Sequence, residues 1–214
     1  MKTISLECST SQASVALLEY EELVHEEIWI TERARHENIA DRAAAVMGSA
    51  GWRWDEIELF VVGRGPGAYS GLRASLLAIQ ALAAPGGKSV VAVSSMDALA
   101  ERLLREHNID AITLVGDARR QSIWLGTCRR QLQAHQPTSW RVEPVTSAII
   151  DQNTVVATPH WDSLADFRAR RSDLTWIGES QCPCARDVAR LARLRRAAGA
   201  PPEPPVPLYL HDAV

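Results

Sequence analysis

The sequence predicts an α/β chain folded as two lobes built alike, each a mixed sheet flanked by helices. Three observations predict it. Short β-branched runs open the chain and are separated by polar clusters, as in an antiparallel meander. A glycine-rich turn, Gly63-Arg64-Gly65-Pro66-Gly67-Ala68-Tyr69-Ser70-Gly71, joins an apolar strand to an apolar helix. After Asn108 the strand pattern begins again, with Ile112–Val115 standing to Asp117 as Thr3–Leu6 stands to Glu7. The pairing suggests an internal duplication, although few residues are identical between the halves. By chain order the lobes span residues 1–107 and 108–200, and a proline-rich tail occupies 201–214.

In the first lobe, strands are expected over 3–8, 13–19 and 23–30. Ile39, Ala43, Val46, Met47 and Ala50 recur at helical spacing, and Gly51 stands where a C-terminal cap belongs. Strand 59–63, the glycine turn and helix 72–84 follow. Pro85-Gly86-Gly87 ends that helix, a strand returns over 89–93, and Ser94 or Ser95 caps a helix to about residue 106. In the second lobe, strands are expected over 112–115, 122–128 and 130–134, then 154–158 and 174–178. Helices are expected over 161–170 and 185–198. The tail Pro201-Pro202-Glu203-Pro204-Pro205-Val206-Pro207 can be neither helix nor central strand. It is expected to run extended and to deliver Leu208-Tyr209-Leu210 to a docking site on the body.

Composition excludes several classes. The 214 residues are 46% hydrophobic and 23% charged, ordinary for a globular chain that buries a sizeable core. A net charge of −3 leaves no basic footprint, so this chain alone is not expected to grip nucleic acid. No apolar stretch is long enough to span a bilayer, and no secretory segment follows Met1-Lys2, so a cytoplasmic, membrane-free protein is expected. The four cysteines, 8, 128, 182 and 184, lack zinc-knuckle spacing and are expected to be reduced thiols. No two histidines stand at i and i+4, and no metal site is expected.

Glu7 and Asp117 sit at the first turn of each lobe, where actin-like kinases and ATPases hold Mg-nucleotide. Neither turn, Glu7-Cys8-Ser9-Thr10 or Asp117-Ala118-Arg119-Arg120, carries the Asp-Gly pair that lets backbone approach phosphate. They are therefore residual cleft acids, with Asp117 paired to Arg119 or Arg120. The glycine turn has backbone N–H groups able to face an anion or a partner, through Gly65, Gly67, Ser70, Gly71 and Arg73. It is not a Walker A loop, since no Gly-Lys-Ser/Thr follows. Ser70 is the sole candidate nucleophile, and helix capping explains it more simply. No catalytic residue is expected.

Helix 72–84 is apolar almost all round and asks to be covered on both sides. Leu72, Leu76, Ile79 and Ala83 form one line; Ala74, Ala78 and Ala81 form a small-residue stripe. With His36, Ile39, Ala40, Ala43 and Met47 of the preceding helix, these residues make an expected partner interface. Two such helices meeting two from another chain would bury about 1,600 Å².

Five segments then carry a family resemblance. Arg35-His36-Glu37-Asn38-Ile39, Val61 through Arg73, Val93 through Ala100, Asp117 through Arg120, and Pro207-Leu208-Tyr209-Leu210 resemble the TsaB (YeaZ) family, in the family's order. The resemblance implies a two-lobed, actin-like (ASKHA, ribonuclease H-like) fold. It implies a non-catalytic subunit that pairs with the paralogue TsaD through the two helices, with the ATPase TsaE joining, or that self-associates through the same helices. The complex would make threonylcarbamoyladenosine beside the anticodon of tRNAs reading ANN codons. No cofactor is implied for this chain, the complex's ATP being bound mainly by TsaD and TsaE. The paralogue's His-x-x-x-His motif is absent here. Where the family reads Asp-Thr-Ser-Thr and Ser-Phe-Thr-Gly, this chain has Glu7-Cys8-Ser9-Thr10 and Ala68-Tyr69-Ser70-Gly71. Those departures weigh against nucleotide binding by this chain and leave the partner role in place. An ATP-dependent phosphotransferase of the same fold, or a peptidase using Ser70 on its paralogue, are the alternatives.

Overall fold

The computed structural model describes residues 1–31, 38–134 and 136–210. Strands β1 (Lys2–Glu7), β2 (Gln12–Glu19) and β3 (Glu22–Ile30) form the opening meander. Helix α1 (Ile39–Ser49), β4 (Leu59–Gly63), α2 (Tyr69–Ala83), β5 (Val90–Val93) and α3 (Ser95–Glu106) follow. The second half holds β6 (Ala111–Arg119), β7 (Ser122–Arg129), the single turn α4 (Arg130–Gln133) and β8 (Arg141–Pro144). It continues through β9 (Val155–Ala157), α5 (Ala165–Arg170), β10 (Thr175–Trp176) and α6 (Ala185–Ala197).

The first sheet has the order β3-β2-β1-β4-β5 and the second β10-β9-β6-β7-β8. Read from its central first strand, each is a three-strand antiparallel meander extended on the other side by two parallel strands. The duplication is thus clearer in strand order than in residue identity.

Burial explains why the strand sequences look as they do. The run Leu59-Phe60-Val61-Val62 is apolar throughout because both faces of β4 are covered. Phe60 and Val62 meet Met47, Leu76 and Ile79 of α1 and α2 on one side. Leu59 and Val61 meet Val188, Leu191 and Ala192 of α6 on the other. Helix α3 lies between the sheets: Ala98 joins the α6 layer, while Met96, Leu99 and Leu103 pack with Ile112, Leu114 and Trp124. Ser94 caps it, its side chain accepting from the Asp97 N–H. The far face of the second sheet is closed by Leu164, Phe167 and Leu174 over Val115, Ile123 and Val156.

Two expectations need correction. Residues 130–134 are not a strand: Gln131, Leu132 and Gln133 favour helix, nothing there is β-branched, and the chain makes one helical turn. The third meander strand is β8, whose Val142 pairs with Trp124. Helix α6 follows the second sheet in the chain yet packs on the first, so the second lobe proper ends before Ala185. The tail docks on the body, with Glu203 bridging to Ala92 of β5. No helix among the described residues is long and apolar enough to cross a membrane.

Candidate partner-binding site

Helix α1 begins at Asn38, whose side-chain oxygen accepts from the Ala40 N–H at 3.1 Å and satisfies one of the helix's orphan donors. Ala43, Val46 and Met47 face inward, while Ala44, Ala45 and Gly48 face solvent. Helix α2 packs beside it, with Leu72, Ser75, Leu76, Ile79 and Ala83 inward. Ala74 and Ala81 stand exposed on its outer face, and Leu77 is 70% exposed among them. Among the described residues α2 packs chiefly on β1, β4, β5, α1 and the adjoining turn, and the tail touches it at Tyr69 and Gln80.

The structure therefore sorts the expected interface residues. Ala74 and Ala81 are open to a partner, and Ile39, Ala40 and Ala78 are half-buried at its margin. Ala43, Met47 and Leu72 are not available to a second chain, because their side chains complete the first lobe's own core. His36 lies outside the described residues. Leu77 was missed, although a signal existed. Leu72, Leu76 and Ile79 set the inward line, and Leu77 falls about 100° around the helix from Leu76.

Three of the glycine turn's N–H groups are bonded within the chain itself. The Arg64 N–H donates to Val93 O (2.9 Å), the Gly65 N–H to Ser95 Oγ (3.0 Å) and the Ala68 N–H to Ser9 O (2.7 Å). A Cβ at Gly67 would lie 2.1 Å from Ser9 O, and one at Gly71 would lie 2.1 Å from Cys8 O. These glycines let the turn press backbone to backbone on the β1–β2 turn. Ser70 is not the helix cap, since Ala68 occupies that position; Ser70 stands exposed in the first turn. Arg73 lies over the Tyr69 ring, 5.0 Å from its centroid.

Glu7 is consequently sealed inside. Its Oε1 accepts from the Ser9 N–H, while Oε2 sits over the Cα of Gly63 with no hydrogen-bond partner among the described residues. Burial raises its pKa above the ordinary 4.5, opposed by the Ser9 N–H that its carboxyl group accepts. The native state then keeps a proton that the unfolded chain has released. Stability should fall as pH rises from 4.5 through the raised native value, and the deficit persists above it. Glu7→Gln removes that titration. Its melting temperature should gain on the parent's between pH 5 and pH 8, each kcal/mol of relief raising it by about 2–4 °C. Parallel melting curves across that range would contradict a neutral, buried Glu7.

The facing turn is built differently. The Asp117 carboxylate accepts from the Arg119 N–H at 2.7 Å, and the Asp117 N–H donates to His160 Nδ1 at 3.1 Å. Among the described residues no ion pair joins Asp117 to Arg119 or Arg120, which corrects the expected one. The carboxylate holds the turn instead, whose residues Arg119, Arg120 and Gln121 are all left-handed at φ 63°, 49° and 58°. Burial lowers the His160 pKa, in keeping with a neutral ring whose Nδ1 accepts. No group of three or more metal-ligating side chains occurs among the described residues.

The chain is similar to proteins of one family along most of its length. The family model described as TsaD, tRNA N6-adenosine threonylcarbamoyltransferase, matches residues 29–144. The tRNA threonylcarbamoyladenosine biosynthesis protein TsaB of Haemophilus influenzae is 25% identical over 128 residues. That alignment takes in 60% of this chain and 54% of the relative, so it spans about half of the relative's length. A Pseudomonas aeruginosa structure, described as an uncharacterized protein with similarity to peptidase YEAZ, superposes with a TM-score of 0.82 at 25% identity. The superposition covers 98% of this chain and 99% of the other. YeaZ from Pseudomonas aeruginosa has the same fold, with a TM-score of 0.79 at 23% identity over 97% and 100% of the two chains. Paired five-stranded sheets of matching order, the glycine turn between β4 and α2, and these likenesses agree: the fold is actin-like, and the chain belongs to the TsaD family, as a member of its TsaB (YeaZ) group.

Proposed function

We propose that this chain is a non-catalytic subunit in the making of threonylcarbamoyladenosine in tRNA, clasped by a TsaD-type paralogue through α1 and α2. The observation that carries the reading is the uncovered face of α2, where Leu77 stands exposed between Ala74 and Ala81. A large apolar side chain among small ones, beside a second helix with Ala44, Ala45 and Gly48 outward, lets another helix pair approach closely. A TsaE-type ATPase completes the assembly, the tRNA substrates are those reading ANN codons, and the site of action is the cytoplasm. Self-association through the same helices competes with the paralogue for this face.

The sealed Glu7 weighs against the phosphotransferase reading, since a carboxylate must reach solvent to hold a magnesium ion. The peptidase reading lacks a base: no histidine bonds to Ser70 among the described residues. Reconstitution tests the proposal. TsaD-type and TsaE-type proteins from the same organism, with tRNA, ATP and an activated threonylcarbamoyl donor, should form the modified nucleoside only when this chain is added. Chromatography with mass detection of digested tRNA reads the product. Equal yield without this chain would end the proposal.

A further inference from the structure

Residues 201–210 run as an extended strap against the glycine turn and α2. The Leu208 N–H donates to Arg64 O at 2.7 Å, and Arg64 Nε donates to Val206 O at 3.0 Å. The strap reaches both ends of α2: the Tyr209 ring stacks on Tyr69 in the first turn at 5.1 Å, and Gln80 Nε2 donates to Pro205 O at 3.3 Å near the last. Its final described residue, Leu210, packs on the second lobe's core.

Glu203 anchors this strap. Its carboxylate lies between Arg64, at 3.2 Å, and Arg195 of α6, with the Glu203 side chain 9% exposed. Arg195 turns its other amino group to Asp97 of α3 at 2.7 Å, and Asp97 accepts in turn from the Thr138 N–H of the second lobe. Two acids and two guanidinium groups are thereby paired with little exposure to solvent, where each needs the others. The prolines around Glu203 stiffen the strap before it docks, so little freedom is lost when it does.

We infer that the strap is a positioning device for the partner-binding helix: through Glu203 and Arg195 it ties the glycine turn and both ends of α2 to the second lobe. Arg195 and Glu203 are positioning residues in this scheme, and neither belongs to the exposed stripe of α2. The part concerning partner affinity rests on the proposed function; the part concerning α2 stands alone.

The test is amide hydrogen exchange on the full chain, comparing the parent with Glu203→Ala and with Glu203→Gln, which keeps the shape and one acceptor. Exchange in residues 64–76 should rise about tenfold in Glu203→Ala, with 154–176 unchanged, and Glu203→Gln should fall between. Affinity for the TsaD-type partner should drop about tenfold in parallel, although no partner-facing side chain has changed. Unaltered exchange over 64–76, or a rise spread evenly over both lobes, would overturn the inference. A local rise in a chain whose parent form fails to bind the partner would uphold the positioning and remove the partner reading instead.

Discussion

Ala74→Arg should weaken association with the TsaD-type partner by about 100-fold or more while leaving the free chain's melting temperature within about 2 °C. Ala74 is exposed on the outer face of α2, and arginine is a good helix former, so the free chain tolerates the change. In the complex the guanidinium would enter a packed seam between small residues with no partner for its charge. An unpaired buried charge costs more than the roughly 2.7 kcal/mol that 100-fold represents. Ala78, the more obvious position from sequence, is a poorer probe because it packs against the first lobe's core and its enlargement would disturb the α1–α2 contact. Calorimetric titration of the partner reads the affinity, and a thermal scan reads the fold. Wild-type affinity for the arginine variant would place the interface elsewhere.

Gly71→Ala should cost about 3 kcal/mol or more, lowering the melting temperature by roughly 6–12 °C. The added methyl would sit 2.1 Å from the carbonyl oxygen of Cys8 and 3.2 Å from its carbonyl carbon. Those are backbone atoms of the turn after β1, held by the β1–β2 ladder, and they cannot swing aside as a side-chain tip would. Relief must come from lifting the start of α2, which breaks the Ala68 N–H bond to Ser9 O and unseals Glu7. The loss is purely steric, since Gly71 does not need a left-handed backbone. A circular-dichroism melt that matches the parent's would show that the turn is looser than this packing requires.

Much of the architecture was legible because local signals and tertiary packing agree. β-Branched runs became strands, Ser94 capped α3, and the restart after Asn108 became a second sheet of the same order. The proline tail left the chain no option but an extended path, and the apolar Leu208 and Leu210 required a surface to cover them. What escaped depends on contacts distant in sequence. Glu7 looks like a cleft acid from its position after β1, and only the glycine turn pressing on Ser9 shows that it is shut inside. The path of α6 back to the first sheet leaves no local mark, because an amphipathic helix fits either lobe equally well. Met47 and Leu72 look like interface residues for the same reason: an apolar side chain does not declare whether its cover is its own sheet or another chain.

The most direct measurement is hydrogen exchange of this chain with and without a saturating amount of the TsaD-type partner. New protection concentrated in residues 39–49 and 69–83, with the second sheet unaffected, is the predicted result. Protection confined to residues 111–176, with α1 and α2 exchanging as in the free chain, would contradict the account.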